Sequence, residues 1–245
     1  MIDPALPPAQ GLYDPTKEHD SCGVGFVADL QNRKSHEILL KGLEILANLD
    51  HRGATGFDPS LGDGCGALVQ IPHRFFAEEC SKLGAALPAA GHYAIGQFFM
   101  PRDPKARTAC EKILEDAVAE EGQVLIGWRD TPVDNANLGE AVKAVEPAQR
   151  QLFIGRGPAV VDEDDFERKL FIIRKVASNR IQASTVEGVA EYYPVSLSCR
   201  TIVYKGMVLV GQLAGYYKDL QDPRFETALA LVHQRFATNT FPSWR

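Results

Sequence analysis

The chain has 245 residues, which is enough for one large domain or two modest ones. With 45% hydrophobic and 24% charged residues, its composition is typical of a globular protein. The net charge of −6 and the lack of a basic run argue against nucleic acid or an anionic membrane as a partner. No stretch approaches about 18 consecutive apolar residues, so the sequence predicts no transmembrane helix.

The cysteines are scattered along the chain, and their number is odd. They are Cys22, Cys65, Cys80, Cys110 and Cys199. None lies in a C-x-x-C pair or near a histidine at zinc-ligand spacing, so the sequence predicts no metal site. An odd, scattered set is typical of thiols in a reducing compartment, and we therefore predict a cytoplasmic protein.

The first element expected along the chain is an extended, poorly packed leader over residues 1–21. It contains prolines and acidic residues, and it lacks the basic and apolar regions of a signal peptide. The first strand is predicted over residues 22–30, where apolar and smaller side chains alternate. Because glycine weakens a strand, Gly23 and Gly25 suggest that another backbone or a ligand comes close there.

The rest of the chain mixes helices and strands. A helix is predicted over residues 35–49, with leucines at helical spacing after a Ser35 cap. A long, glycine-rich polar loop over 50–66 follows, of a length usually linked to function or disorder. Further strands are predicted over 65–71, 92–100, 124–129, 151–156, 195–206 and 226–238. Further helices are predicted over 72–83, 103–121 and 162–178, and a helix is preferred over 207–218. No linker interrupts this pattern, which predicts one domain after the leader.

Thiol chemistry draws attention to Cys22. A cysteine attacks as its thiolate, and at an ordinary pKa of about 8.5 only a few per cent of a thiol is ionised at pH 7. If residues 1–21 are cut away, the new α-amino group, with a pKa of about 7.7–8.0, can accept the thiol proton. An amide nitrogen cannot do so, and Cys22 therefore lacks this base while it is joined to Ser21.

Two further segments carry candidate site residues. The loop within residues 49–69 has glycines that permit close backbone approach, and it lacks the G-x-x-x-x-G-K-[ST] pattern of a phosphate-binding loop. Arg235 lies near the end of the last predicted strand, and an arginine fork matches a carboxylate such as that of glutamine. Taken singly, such segments are more often a connecting loop and a surface salt bridge.

Taken together, four stretches resemble the class II glutamine amidotransferases, the N-terminal-nucleophile (Ntn) type. They are DSCGVGFVAD, LDHRGATGFDPSLGDGCGAL, SCRTIVYKGM and HQRFATNTFPSW, and they are spread over residues 20–244. The resemblance is closest to the amidotransferase domain of the glutamate synthase large chain, to which YKGM and RFATNTFPSW are more specific.

This resemblance implies a fold and a set of site residues. The implied fold is α+β, the Ntn-hydrolase four-layer αββα sandwich with two mostly antiparallel sheets between helical layers. Cys22 matches the nucleophile, residues 1–21 match the propeptide, and residues 22–245 match the amidotransferase domain. Arg235 matches the arginine that holds the glutamine carboxylate. Thr238 matches a residue of the glutamine pocket, and Asn239 stands where the wider class often has histidine.

The resemblance also implies the reaction. The Cys22 thiolate attacks the side-chain amide of L-glutamine, ammonia leaves, and water releases glutamate from the γ-glutamyl thioester. In the full-length enzyme the ammonia reaches 2-oxoglutarate, with FMN, an iron–sulfur cluster and an external electron donor, while this segment is expected to hold no cofactor. The implied partners are L-glutamine, the remainder of the large chain and a small electron-donating subunit. The resemblance also assigns Arg52 and Gly53 to an Arg-Gly loop of the family, which is expected to support the site and not to contact the substrate.

Part of the family pattern is expected beyond residue 245. The family has an Asn-Gly pair that builds the oxyanion hole and an acidic residue that binds the α-amino group of glutamine, and neither is found here. The loss of one oxyanion donor can slow an enzyme by about 10²–10³. We therefore expect a domain that is incomplete at its C-terminus and a chain that has little glutaminase activity by itself.

Three alternatives stay open at this point. The chain could belong to another class II enzyme, such as one feeding purine or amino-sugar synthesis, although YKGM and NTFPSW argue against this. It could be a catalytically incompetent fragment that only binds partners or misfolds. It could also be a Cys–His hydrolase that uses His51 or His233 as its base, although single histidines are more often structural.

Overall fold

The computed structural model describes residues 8–11, 14–17, 22–53, 62–235 and 241–244. Its strands, in chain order, are β1 (Gly23–Ala28), β2 (Cys65–Gln70), β3 (Tyr93–Met100), β4 (Val124–Asp130), β5 (Ala148–Gly155), β6 (Tyr193–Ser198), β7 (Thr201–Gly206) and β8 (Leu229–Gln234). Its α-helices are α1 (His36–Asn48), α2 (His73–Lys82), α3 (Pro104–Glu120), α4 (Glu140–Ala144), α5 (Glu163–Ala183) and α6 (Leu213–Tyr216).

The strands form two antiparallel sheets of four strands each. The first sheet has the order β1-β8-β2-β7, and the second has the order β4-β5-β3-β6. This arrangement confirms an α+β fold with two antiparallel sheets. Of the described helices, none is long and apolar enough to cross a membrane.

The prediction of a single strand over 195–206 is wrong, because the chain turns in the middle of that segment. Strands β6 and β7 lie in different sheets, and residues 199–200 connect them. The Ser198 hydroxyl accepts hydrogen bonds from the backbone N–H groups of Arg200 (3.0 Å) and Thr201 (3.2 Å), which stabilises the turn. A turn made by a serine side chain, without glycine or proline, leaves little trace in the sequence pattern.

The helix starts follow the predicted caps. The Ser35 hydroxyl accepts from the N–H of Ile38 at 3.4 Å, Asp103 caps α3, and Asp162 caps α5. Helix α5 continues five residues past the predicted end at 178, to Ala183. The helix preferred over 207–218 is reduced to the single turn of α6, and α4 was not predicted.

Helix α1 covers one face of the first sheet, across β1 and β8. A Cβ atom on Gly25 would overlap with Ile45 of the helix, and one on Gly42 would overlap with Ala230 of β8. The close approach that the sequence suggested near Gly25 is therefore made by α1. On the same face, the side chains of Leu49 and Arg52 lie against Gly23.

The second sheet buries both of its faces. Ala94, Phe98 and Met100 of β3 point to the side where α3 and α5 pack, and they belong to one hydrophobic cluster with those helices. Ile95 and Phe99 alternate with them and belong to a second cluster, which also contains side chains from the first sheet. The core between the sheets therefore holds them together.

A polar network lies within this core, centred on Arg129 of β4 and Asp219. The two side chains are only 7% and 3% exposed. Arg129 donates to both carboxylate oxygens of Asp219 at 2.8 Å, and it donates to Gln151 Oε1 of β5 at 2.7 Å. The Tyr204 hydroxyl of β7 donates to the same carboxylate at 2.8 Å. Because the partners come from both sheets, the network fixes their relative position.

Candidate functional site

Cys22 and Arg235 lie at the same end of the first sheet. Gly23 pairs with Gln234 and Val24 pairs with His233, so the next register position sets Cys22 across from Arg235. The backbone N–H of Arg235 donates to the Gly64 carbonyl at 3.0 Å, so β8 continues alongside the chain that leads into β2. Alternation along the strands assigns Cys22 and Arg235 to the face opposite α1.

This opposite face of the first sheet is open, and we call it the open face. Val24 and Phe26 of β1 point to it and are 62% and 69% exposed. Leu231 and His233 of β8 point the same way, since they pair with Phe26 and Val24. Cys22 itself is exposed. The nucleophile expected from the sequence therefore stands at the edge of an accessible surface.

A groove of about 380 Å³ runs over β2 on the open face, beside Arg235. Its floor includes Gly66, which has no side chain to fill the space between β8 and β7. One wall is formed by His233 and Arg235, and the opposite wall by Lys205 of β7. Asp63, Gly64, Val203, Ser243 and Trp244 also line it.

The groove gathers groups that carry or can accept positive charge. Burial and the nearby Arg235 lower the pKa of Lys205 to about 8. Burial, Arg235 and Lys205 also lower the pKa of His233 below its usual range, so this imidazole is neutral at pH 7. Lys205 and Arg235 therefore favour an anionic group inside the groove, whose lining also includes the side chain of Asp63.

Trp244 closes one end of the groove. It is 5% exposed and stacks edge-on against Phe99, with ring centroids 5.7 Å apart. A Cβ atom on Gly206 would lie 2.6 Å from the Trp244 ring, so this glycine lets the indole seat directly on β7. The indole Nε1 is buried and has no hydrogen-bond partner among the described residues.

The loop that contains Arg52 and Gly53 lies behind the site, on the α1 side of the sheet. The Arg52 side chain packs against Gly23, the residue that follows Cys22. A Cβ on Gly53 would overlap with the side-chain amide of Gln234, the residue that precedes Arg235. Arg52 and Gly53 thus lie behind Gly23 and Gln234, the strand residues next to Cys22 and Arg235.

The remaining four cysteines differ from Cys22 because they are buried. Burial raises the pKa of Cys80 and Cys110 to about 11, and that of Cys65 and Cys199 to about 12. They stay as thiols at neutral pH and pack as small apolar side chains. Within the described residues no group of three or more His, Cys, Asp or Glu side chains could hold a metal ion.

The structure locates only some of the predicted site residues. Thr238 and Asn239 lie outside the described residues. His51 lies in a short 3₁₀ turn, where its ring Nδ1 is 3.0 Å from the Asn48 carbonyl oxygen. His233, the other histidine considered as a base, lies on the open face two residues before Arg235. Lys205 stands in the YKGM motif, but nothing in the sequence alone marked it as a groove residue.

Comparison with known proteins adds to this geometry. The family model described as "Glutamine amidotransferases class-II" matches residues 22–245. The chain belongs to the class II glutamine amidotransferases. The match begins at Cys22, the residue that chemistry had already singled out as a nucleophile.

Three relatives show where such chains occur. The chain is 45% identical over 239 residues to the glutamate synthase [NADPH] large chain of Bacillus subtilis (strain 168), covering 98% of this chain and 15% of that protein. It is 41% identical over 247 residues to the glutamate synthase [NADH] of Schizosaccharomyces pombe (strain 972 / ATCC 24843), covering 98% and 11%. It is 37% identical over 235 residues to the chloroplastic ferredoxin-dependent glutamate synthase 2 of Arabidopsis thaliana, covering 95% and 14%. The chain thus spans no more than about a seventh of the length of these relatives.

Proposed function

We propose that this chain supplies the nucleophile and the carboxylate-binding arginine for the glutaminase half-reaction of a glutamate synthase. The observation that carries the proposal is the register of β1 and β8, which sets Cys22 across from Arg235 at one end of the open face. The family match from residue 22 onward supports a removable leader over residues 1–21. Thr238 and Asn239, close after Arg235 in the sequence, are proposed to line the glutamine pocket.

In this proposal the α-amino group of a processed Cys22 takes the thiol proton. The thiolate then attacks the side-chain amide carbon of L-glutamine, and ammonia leaves with the proton. Water hydrolyses the γ-glutamyl thioester and releases glutamate. The guanidinium group of Arg235 holds the α-carboxylate, which fixes the amide carbon near the sulfur.

The wider context is also proposed by analogy with the relatives. The ammonia is delivered to 2-oxoglutarate elsewhere in a longer protein, where FMN and an iron–sulfur cluster serve the reduction and a small subunit supplies electrons. The relatives are named for NADPH, NADH and ferredoxin, so their names support no single electron donor. In that protein the two sheets would be the inner layers of the four-layer αββα sandwich. The buried thiols support a cytoplasmic location.

The first experiment combines intact-mass measurement with N-terminal sequencing. We expect active protein to begin at Cys22, and we expect a Cys22→Ser variant to lose glutamine hydrolysis. Cys110→Ser is a matched control, because Cys110 is buried in the cluster between the second sheet and helices α3 and α5 and does not line the groove. Glutamine hydrolysis by a Cys22→Ser variant that keeps its leader would refute the assignment of the nucleophile.

The base is tested separately with His233. A His233→Gln variant should keep the pH dependence of glutamine hydrolysis if the α-amino group is the base. If His233→Gln instead loses glutamine hydrolysis, the result would favour the Cys–His alternative, in which the His233 imidazole is the base. We also expect the 245-residue chain alone to turn over far less glutamine than a longer polypeptide with the oxyanion segment, and equal turnover would contradict this.

A further inference from the structure

Lys205 of β7 lines the groove beside Gly66, a position of β2 that has no side chain. It pairs with Gly66 in the β2–β7 register, and both lie on the open face. A Cβ atom at Gly66 would lie 2.7 Å from the Cβ of Lys205, so a larger residue there would push the lysine aside. The glycine therefore leaves the β2 position between the Lys205 and Arg235 walls of the groove without a side chain.

The Lys205 ammonium lies against aromatic rings. Its Nζ lies 4.2 Å from the ring centroid of Tyr193 and 6.0 Å from that of Phe99. No ion pair joins it to an acidic side chain of the described residues. The titratable groups that share the groove are Arg235, His233 and Asp63, of which Arg235 opposes a second positive charge.

Two cationic side chains on opposite walls of one groove repel each other unless an anion lies between them. Some buried or half-buried cations of the described residues, such as Arg129 and Arg224, contact carboxylates directly. Lys205 makes no such contact, and it lines a cavity that offers room for a ligand. A ligand carboxylate would give Lys205 an ion-pair partner.

We propose that Lys205 is a second cation of the carboxylate subsite, which binds the α-carboxylate of an amino acid together with Arg235 across the Gly66 floor. This inference rests on the proposed function, since it names the part of the substrate that the groove holds. Lys205 selects for an intact α-carboxylate and takes no part in bond breaking.

The experiment follows Lys205 directly. The chain carries Cys22→Ser and ¹³C-labelled lysine ε-carbons, and the Lys205 signal is assigned by its disappearance in Lys205→Met. We expect the signal to titrate near pH 8 without ligand, and we expect L-glutamine to move that midpoint toward the value of an ordinary lysine. The analogue 4-aminobutanamide, which lacks only the α-carboxylate, should leave the midpoint unchanged.

Binding affinities give a second readout. Lys205→Met should weaken L-glutamine binding about tenfold or more, the range for a lost hydrogen bond to a charged group, while Lys205→Arg should restore part of it. Binding of 4-aminobutanamide should be equal in all three proteins. The inference is overturned if L-glutamine leaves the Lys205 titration midpoint unchanged. It is also overturned if Lys205→Met weakens the binding of L-glutamine and 4-aminobutanamide equally.

Failure of this inference can be told apart from failure of the proposed function. The Lys205 titration uses Cys22→Ser and does not depend on hydrolysis. If Cys22→Ser protein that keeps its leader still hydrolyses glutamine, the nucleophile is wrong while a Lys205 shift still stands. If Lys205 stays unmoved while Cys22 proves essential, only the second cation is refuted.

Discussion

Arg129 and Lys205 are cations in very different surroundings. Arg129 lies in the core between the sheets, where Asp219, Gln151 and the Tyr204 network accept or share its hydrogen bonds. Lys205 follows Tyr204 on the same strand and points to the opposite face. Although burial opposes its charge, Asp219 raises the pKa of Arg129, whereas burial and Arg235 lower the pKa of Lys205.

The contrast separates a structural charge from one that is available to a ligand. A buried cation with a bidentate carboxylate is satisfied, and its removal leaves another charge stranded. A half-buried cation that faces a cavity and has no ion pair carries a desolvation cost that a ligand can relieve. Strand β7 thus presents a fixed polar network on one face and a binding group on the other.

The largest expected effect comes from breaking the satisfied pair. Asp219→Ala should lower the free energy of unfolding by about 3–5 kcal/mol, because Arg129 would stay buried and charged without its partner. Urea denaturation followed by circular dichroism measures this change. Glu120→Ala is the matched control, because it breaks the exposed ion pair with Arg180 and should change stability little. Similar losses in both variants would contradict the structural role of the network.

A smaller effect is expected from filling the floor of the groove. In Gly66→Ala the new Cβ would meet Lys205 Cβ at 2.7 Å and the Tyr204 carbonyl oxygen at 2.9 Å, so the variant should lose about 1–3 kcal/mol of stability. It should also displace Lys205 and move its titration midpoint. Gly211→Ala serves as control, since nothing lies within 4 Å of a Cβ at that position. An unchanged Lys205 midpoint in Gly66→Ala would show that the floor does not orient the lysine.

The smallest effect, and one of opposite sign, is expected from Lys205→Met. The folded-state pKa of Lys205 lies near 8, below that of an unfolded lysine at about 10.4, so the folded state binds the proton less readily. The free energy of unfolding of wild type is therefore expected to rise as the pH increases from about 8 to 10.4, where the unfolded state keeps the Lys205 proton and the folded state loses it. Lys205→Met should be slightly more stable than wild type at pH 7, and thermal melts should show the gap closing over that range. A gap that widens with pH would contradict the direction of the shift.

Much of the fold could be predicted from the sequence because its signals are local. Ser35, Asp103 and Asp162 mark helix starts, and alternating side chains mark most strands, including β1 and β8. The division of residues 195–206 between two sheets could not be predicted, since it depends on which neighbours each strand finds. Helix α4 is too short to show a periodic pattern.

The candidate site was only partly predictable. Cys22 and Arg235 could be proposed from thiol chemistry, arginine geometry and the family motifs. Lys205 could not, because its role depends on the absence of a side chain at Gly66 and on the absence of an ion pair to a described acidic residue. The residues next to Lys205 in the sequence show neither of these features. Trp244 likewise enters the groove wall only through its contacts with Gly206 and Phe99.

The turn at Ser198 has a consequence for the unfolding of the protein. It joins β6 and β7, which belong to different sheets, across only two residues. Neither sheet can lose its edge strand without pulling on the other through that short connection. The two sheets should therefore melt as a single cooperative unit, with amide hydrogens of β3 and β2 exchanging with solvent in one shared opening event.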